Sequence, residues 1–397
     1  MEFSEFILLH DGDDIASLAL QRDRLCADVP DWELALSTLQ ARRKLRSKLP
    51  SWHAVPSLHY PLPLSAEQCS SEETAVYKAS LADNKRIADI TGGLGVDAWA
   101  FSRVCEKVLY NEMKPELVEA ARHNFKELGV ENVEIRNSVV EKGKIKEILG
   151  GFVPDVIFMD PARRDDVGRK VFMLEDCSPN VLELLPELYE ACPRIMLKLS
   201  PMADITAICR QLPGVKEVHV VEADGECKEL LLLLERGYEG DYGLVLYANG
   251  AVAEIRRSSR RMTEEVSRRM TEGAGQVLFV PGKGLMKTGA FWWPETFGLR
   301  QLAASTHLYV GSTKVPELEA FGKFYNIVET VPLSNKSMKE ISKKYPSADV
   351  TARNIPMTSD ELRKRLGVKP SDGTTHIFGT SASDKGKILL ITQSSNH

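Results

Sequence analysis

A glycine-rich turn carries the first residues whose types and spacing could do chemistry. The run Arg86–Asp97, R-I-A-D-I-T-G-G-L-G-V-D, places a short apolar stretch around Asp89 before Gly92, Gly93 and Gly95. Glycine tolerates positive φ and lets the backbone approach a ligand, and the helix predicted to follow offers free N–H groups. This pattern predicts a strand, a loop and a helix that bind a nucleotide-like ligand.

A second polar group follows a short apolar run and reads Asp160-Pro161-Ala162-Arg163-Arg164. A carboxylate at the end of a buried strand could accept hydrogen bonds from an acceptor amine. The two guanidinium groups could bind a phosphate or carboxylate of that acceptor. For Arg164, a surface ion pair with a neighbouring aspartate is an equal alternative.

Lys198 stands near the end of the next predicted strand, at 195–199. Because parallel strands end at the same edge of a sheet, we expect Lys198 to lie beside the acceptor. It could bind the substrate, or it could pair with Asp160 in a purely structural role. The sequence leaves both roles open.

Two further strand ends carry polar side chains, Glu112 and Asn137. An acid at the end of the second strand is placed to accept hydrogen bonds from a ribose diol. The asparagine at the end of the third strand could read an adenine edge. Both features predict an adenosine-containing ligand.

Two ligands of that kind compete. Residues 93–98, G-L-G-V-D-A, fit the G-x-G-x-x-A pattern of nicotinamide dinucleotide sites, which is a weak signal when it stands alone. Asp89 ahead of the glycines suits the ammonium group of S-adenosylmethionine, and the Asp-Pro loop after the fourth strand is where a methyl acceptor would sit. We therefore favour S-adenosylmethionine over a dinucleotide.

The elements that position these residues alternate between apolar runs and helical patterns. Strands are predicted at 87–90, 107–111, 133–136, 155–159, 195–199, 217–222 and 229–235. The short link around Asp224 makes the last two an antiparallel pair and the sheet a mixed one. Ser70 and Glu73 form a capping-box pattern, which predicts a helix from about Ser71 to Leu81.

The rest of the chain divides into a helical lead and a tail with mixed patterns. We predict a helical region at 1–65, a ligand-binding domain at 66–238 and an α+β domain at 239–397. The tail strands are predicted at 242–247, 276–279, 307–310, 349–352, 376–379 and 387–392, and its helices at 338–344 and 359–366. Thr358 and Glu361 form a second capping-box pattern.

The charge of the chain is unevenly distributed. Residues 241–397 hold 22 Lys and Arg against 15 Asp and Glu, whereas the whole chain holds 51 and 56. The tail includes six clustered arginines: Arg256, Arg257, Arg260, Arg261, Arg268 and Arg269. Such clustering suits a phosphate backbone, although helical pairing with Glu264 and Glu265 is the alternative. RNA is the partner that this pattern favours.

Composition excludes several other classes. No apolar run approaches the roughly 20 residues of a membrane span, and the acidic N-terminus has the wrong order for a secretion signal. The 7 cysteines are spread singly and the 8 histidines show no metal spacing. We expect a cytoplasmic protein with reduced thiols and no metal site.

The four strand-end motifs, in this order, resemble the class I S-adenosylmethionine-dependent methyltransferases over roughly residues 65–236. The resemblance implies a Rossmann-like α/β fold with a mixed seven-stranded sheet. It implies cofactor contacts from Asp89, Thr91, Gly92, Gly93, Gly95, Asp97, Glu112 and Asn137. It implies a catalytic motif at Asp160, Pro161, Ala162 and Arg163, with the acceptor bound by Arg163, Arg164 and Lys198.

Two further stretches, at 68–79 (Q-C-S-S-E-E-T-A-V-Y-K-A) and 350–369 (V-T-A-R-N-I-P-M-T-S-D-E-L-R-K-R-L-G-V-K), are similar to a narrower group. That group is the bacterial methyltransferase-like proteins with a THUMP-like C-terminal domain. With these stretches the resemblance covers most of residues 60–397. It implies kinship to an RNA-binding module of RNA-modifying enzymes.

The acceptor motif departs from the pattern of enzymes that methylate amino groups of nucleic acids. Those enzymes usually have Asn or Asp, two prolines and an aromatic residue, whereas this chain has Ala162 for the second proline and Arg163 for the aromatic residue. Arginine can also stack on a base. No Pro-Cys pair is present in this loop, which disfavours a cysteine nucleophile.

The favoured hypothesis is methyl transfer from S-adenosylmethionine to RNA, at a base nitrogen of tRNA or rRNA. One alternative is a methyltransferase for a small molecule or a protein. Another is a catalytically silent RNA-binding relative, which the altered acceptor motif suggests. A nicotinamide-dependent enzyme is the least favoured reading.

Overall fold

The computed structural model describes residues 1–163, 174–256, 276–371 and 373–394. The chain forms two compact units: residues 1–219 with 228–242, and residues 220–227 with 243–397. Two sets of residues singled out in the sequence lie outside the described residues: Arg164, and all of the arginine cluster except Arg256. The predicted boundaries at 65 and 238 remain predictions.

The first unit is built on a sheet of parallel strands with an antiparallel addition. Its strands are β1 (Arg86–Asp89), β2 (Lys107–Glu112), β3 (Val133–Asn137), β4 (Val156–Met159), β7 (Arg194–Leu199), β8 (Val215–Ala223) and β9 (Glu226–Glu235), although residues 220–227 of β8 and β9 belong to the second unit. They lie in the order β8-β9-β7-β4-β1-β2-β3. Strands β1, β2, β3, β4 and β7 pair in parallel, and β9 runs antiparallel to β7. The predicted mixed sheet is confirmed.

Helices precede the sheet and connect its strands. They are α1 (Phe3–His10), α2 (Ile15–Leu20), α3 (Arg22–Leu25), α4 (Trp32–Lys48), α5 (Pro50–His53), α6 (Pro63–Gln68), α7 (Glu72–Ser80), α8 (Val96–Ser102), α9 (Pro115–Glu127), α10 (Ile145–Leu149), α11 (Val181–Ala191) and α12 (Ile205–Gln211). A short ribbon of β5 (Ala162–Arg163) and β6 (Cys177–Ser178) stands beside the sheet. The predicted helical lead is confirmed.

The start of α7 corrects one prediction. Ser71, rather than Ser70, is the N-cap, and its side chain accepts a hydrogen bond from the N–H of Thr74. Ser70 is instead buried and bonded to Asp97. The S-x-x-E pattern fits only Ser70 with Glu73, because the residue three positions after Ser71 is Thr74, so the pattern selected the wrong serine.

One hydrophobic core holds the helical lead against the sheet. Leu45 and Trp52 of the lead are fully buried in the same cluster as Trp99, Phe101 and Tyr110. The rings of Trp52 and Trp99 meet edge to face, with centroids 5.9 Å apart. The helical lead is therefore part of the scaffold that supports β1, β2 and the loops at their ends.

The second unit contains nine complete strands among its described residues, and seven of them form one sheet. Its strands are β10 (Gly243–Ala248), β11 (Ala251–Ile255), β12 (Val277–Pro281), β13 (Arg300–Gln301), β14 (Tyr309–Gly311), β15 (Gly322–Pro332), β16 (Asp349–Ala352), β17 (Thr375–Ala382) and β18 (Gly386–Ser394). The sheet order is β13-β14-β12-β15-β18-β17-β16, while β10 and β11 form an antiparallel hairpin. Its helices are α13 (Lys283–Thr288), α14 (Asn335–Lys344) and α15 (Ser359–Leu366).

One local signal in the second unit behaves as expected. Thr358 and Glu361 form the predicted reciprocal capping box of α15. Trp293 is buried against Phe297 and Phe321, so it serves packing. Within the described ranges, no helix has the length and apolar character needed to cross a membrane. The same ranges contain no group of three His, Cys, Asp or Glu side chains placed to hold a metal ion.

Candidate active site

The glycine loop follows β1 and rests on an aromatic side chain of β2. A Cβ atom on Gly92 would lie 2.2 Å from the ring of Tyr110, so only glycine fits there without movement of the ring. The Tyr110 hydroxyl donates a hydrogen bond of 2.6 Å to the carbonyl of Gly93. Gly93 has φ +53° and open space on its Cβ side. The loop is therefore held close to the sheet while Gly93 leaves room beside the backbone.

This loop borders a cavity of about 320 Å³ at the carboxyl ends of β1, β2 and β4. Several residues predicted for the site line it, and they come from both the cofactor set and the acceptor set. They are Thr91, Gly92, Gly93, Asp97, Glu112, Asp160 and Ala162. The wall is completed by residues that the sequence did not indicate, among them Ser65, Cys69, Ser138, Ser178 and Pro179.

Two residues predicted to contact the cofactor, Asp89 and Gly95, do not line the cavity. Asp89 is enclosed at the end of β1, with 1% of its surface exposed. Its Oδ1 accepts a hydrogen bond from the N–H of Thr91, and Oδ2 has no hydrogen-bond partner among the described residues. Burial, followed by the charge of Asp97, raises the pKa of Asp89 well above its ordinary value. A buried carboxylate oxygen left without a partner fits a ligand that brings a positive charge.

Glu112 holds the glycine loop as well as facing the cavity. Its two carboxylate oxygens accept hydrogen bonds from the N–H groups of Gly93 at 3.0 Å and Lys114 at 2.9 Å. Each oxygen can accept a second hydrogen bond, which a ribose hydroxyl could donate. With Asp89 and Gly93, Glu112 fits the sulfonium nucleoside predicted from the sequence, with its cationic methionine part and ribose diol.

The side chain of Asn137 forms hydrogen bonds with the backbone in this structure. Its amide donates to the carbonyls of Glu112 at 2.7 Å and Met113 at 3.2 Å, at the end of β2. The cavity wall at this point is formed by the next residue, Ser138. The contact between Asn137 and adenine remains a prediction.

The acceptor motif is fixed by two contacts of Asp160. Its N–H donates to Oγ1 of Thr91 at 2.7 Å, and its Oδ2 accepts from Lys198 Nζ at 2.5 Å. Burial opposes the charge of Lys198, but Asp160 and Glu229 outweigh it and hold the pKa of Lys198 above its ordinary value. Lys198 therefore stays an ammonium ion, and the structural pairing considered for it is present.

The remaining residues of the motif are brought near Asp160 by the small ribbon. Ala162 pairs with Ser178, and the backbone of Arg163 pairs with Cys177. Pro161 is buried and is not part of the cavity wall. The roles predicted for Pro161, Ala162 and Arg163 remain predictions.

Lys78 of α7 is a buried lysine that contacts Ser70 and Asp97 of the cavity wall. It has no exposed surface, and its Nζ lies 2.7 Å from Glu229 Oε1, 2.9 Å from Ser70 Oγ and 3.2 Å from Asp97 Oδ1. Ser70 in turn donates to Asp97 at 2.8 Å. Glu229 had no predicted role, although an acid at the head of an apolar strand was a signal of a buried charge.

The chain is similar to several known proteins. A family model described as THUMP domain-like matches residues 322–394. The crystal structure of a candidate methyltransferase from Porphyromonas gingivalis is similar over 99% of this chain and 98% of its own, with a TM-score of 0.81 and 28% sequence identity.

Two relatives extend the comparison. An uncharacterized S-adenosylmethionine-dependent methyltransferase of Mycobacterium tuberculosis is 23% identical over 310 residues, which are 77% of this chain and 80% of the relative. An uncharacterized RNA methyltransferase of Clostridium acetobutylicum is 28% identical over 171 residues, which are 43% of this chain and 35% of the relative. The second match therefore spans about a third of that protein.

Proposed function

We propose that this protein, a class I S-adenosylmethionine-dependent methyltransferase with a THUMP-like C-terminal domain, methylates a base nitrogen of RNA. The methyltransferase class, its cofactor and the THUMP-like domain were predicted from the sequence and are confirmed by the comparisons. The acceptor is the proposed part.

The observation that carries the proposal is the fixed carboxylate of Asp160 at the cavity wall. Lys198 holds Oδ2, and Oδ1 has no hydrogen-bond partner among the described residues. A carboxylate oriented through one oxygen can accept an N–H of an amino group through the other. This arrangement suits a nitrogen acceptor, whose lone pair must be aimed at the methyl carbon.

When bound, S-adenosylmethionine supplies a methyl group on a positively charged sulfur. Asp160 would orient the acceptor nitrogen so that the nitrogen–carbon bond forms as the carbon–sulfur bond breaks. The proton displaced from nitrogen would leave through Oδ1 of Asp160 to solvent, since 36% of this side chain is exposed. Lys198 would hold the carboxylate in place through the transfer.

The choice of RNA is supported by three features. They are the basic balance of residues 241–397, the THUMP-like match at 322–394, and the RNA methyltransferase among the relatives. A small-molecule or protein acceptor would leave the basic tail without a role. RNA is the acceptor that accounts for all three.

The test is methyl transfer from radiolabelled S-adenosylmethionine to total RNA taken from cells that lack this protein. We expect label in one RNA species with the native protein and none with Asp160→Ala, while calorimetry shows unchanged binding of S-adenosylhomocysteine. Asp155→Ala is the matched control, because Asp155 is exposed at the opposite end of the same strand. Label in a protein or small-molecule fraction instead of RNA would contradict the proposed acceptor.

A further inference from the structure

A chain of alternating charges extends from the glycine-loop side of the cavity to the acceptor motif. Its members, in order, are Asp97, Lys78, Glu229, Lys198 and Asp160. The successive nitrogen-to-oxygen distances are 3.2, 2.7, 4.0 and 2.5 Å. Only the two ends, Asp97 and Asp160, line the cavity.

The middle of this chain is enclosed. Lys78 has 0% of its side chain exposed and Glu229 has 3%, whereas Asp160 has 36%. Glu229 uses a different oxygen for each lysine, Oε1 toward Lys78 and Oε2 toward Lys198. One buried carboxylate therefore lies between the two ammonium groups, hydrogen-bonded to Lys78 and at ion-pair distance from Lys198.

We infer that Lys78 and Glu229 are positioning residues that fix the acceptor carboxylate Asp160 relative to the cofactor loop. Neither side chain lines the cavity, so each acts through a neighbour: Lys78 through Asp97, and Glu229 through Lys198. The role of Asp160 in this inference rests on the proposed function.

Stability alone does not account for this arrangement. Taking several charges out of water costs free energy, and a buried ion pair is often no better for stability than apolar residues of similar volume. Both ends of this network, Asp97 and Asp160, line one cavity. Contiguous charged contacts can couple the positions of these two side chains. Ser70 closes the network at the Asp97 end, where it bonds both Lys78 and Asp97.

The first test needs no acceptor. Calorimetric affinities for S-adenosylhomocysteine are measured for Asp97→Asn, Glu229→Gln and the double variant. We expect losses of about fivefold to tenfold for each single variant and about tenfold for the double, because residues in one network do not add. A double variant whose loss equals the product of the two single losses would overturn the inference.

The second test addresses the acceptor end. Glu229→Gln and Glu229→Asp are assayed for methyl transfer to RNA, and we expect kcat to fall about tenfold or more in both while KM for RNA changes less than threefold. Glu229→Asp keeps the charge, so it protects the fold, yet it is one methylene too short to reach both lysines. An unchanged kcat in a folded Glu229→Asp protein would contradict the inference.

The control and the remaining outcomes separate this inference from the proposed function. Glu235→Gln removes an exposed ion pair with Lys216 from the same strand and should leave both assays unchanged. If the native protein methylates no RNA, the proposed acceptor is overturned. The calorimetric affinities of the single and double variants still test the network in that case. If both Glu229 variants fail to fold, the network serves stability and the positioning role is overturned.

Discussion

The N–H of Asp160 donates a hydrogen bond of 2.7 Å to the side-chain oxygen of Thr91. Thr91 also donates its own N–H to Oδ1 of Asp89. One threonine thus joins the end of β1 to the end of β4. The backbone at the acceptor carboxylate is tied to the loop that is proposed to hold the cofactor.

Thr91→Val tests the hydrogen bond between Thr91 and Asp160. Valine keeps nearly the same shape but leaves the N–H of Asp160 without its partner, which costs about 1–3 kcal/mol when the group stays buried. We expect kcat/KM for methyl transfer to fall about tenfold or more. Thr91→Ser keeps the hydroxyl and should retain most of the activity; equal losses in the two variants would contradict the role of the hydrogen bond.

Asp89→Asn should separate stability from binding. Because burial disfavours the Asp89 carboxylate, the amide should raise the Tm of the ligand-free protein in calorimetry at pH 8. The same change removes the negative charge meant for the cofactor cation, so affinity for S-adenosylmethionine should fall about tenfold or more. A variant that loses stability and keeps affinity would show that Asp89 is a structural acid.

The stability gain of Asp89→Asn should depend on pH. A carboxyl whose pKa is raised on folding stabilises the protein below its ordinary value of 3.8, and this contribution is lost as pH rises through the raised value. The difference in Tm between the variant and the native protein should therefore grow from pH 5 to pH 8. A difference that stays constant over this range would mean that the group titrates normally.

Gly92→Ala should disturb the packing of the glycine loop on Tyr110. The new Cβ would meet the Tyr110 ring at 2.2 Å, and overpacking of this kind typically costs about 1–3 kcal/mol. We expect denaturant unfolding to show that loss, together with weaker cofactor binding. Gly12→Ala is the control, since nothing lies within 4 Å of its Cβ position.

Lys198→Met should reduce methyl transfer about tenfold or more, because it leaves Asp160 and Glu229 without their shared cation. The raised pKa of Lys198 means that the ion pair persists below the ordinary value of 10.5 and is lost only above it. The stability difference from the native protein should therefore be constant from pH 7 to pH 9. Lys216→Met, in an exposed pair with Glu235, is the control.

Sequence reasoning located the strand ends because their signal is local. Apolar runs closed by glycine or an acid predicted β1, β2 and β4, and the structure places these ends around one cavity. The long strand β15 was missed. Its sequence, G-K-F-Y-N-I-V-E-T-V-P, mixes polar and charged residues with its apolar ones, and this weakens an apolar signal.

The buried charge network was beyond sequence reasoning for a different reason. Lys78 and Glu229 are 151 residues apart, and no spacing rule connects a helix to a strand at that separation. The same network affects the start of α7. Ser70 bonds Asp97 and Lys78, and Ser71 caps the helix instead. The N-cap residue of α7 is therefore linked to contacts with residues that are distant in the sequence.

The hydrophobic core that the helical lead shares with the sheet has a consequence for how the protein unfolds. Leu45 and Trp52 are buried with Trp99 and Tyr110, and α6, at Pro63–Gln68, spans the predicted boundary at residue 65. Melting of the lead would expose the side of the sheet that supports the glycine loop. The lead and the cofactor site should therefore unfold in one cooperative transition, and proteolytic loss of the lead should abolish cofactor binding along with it.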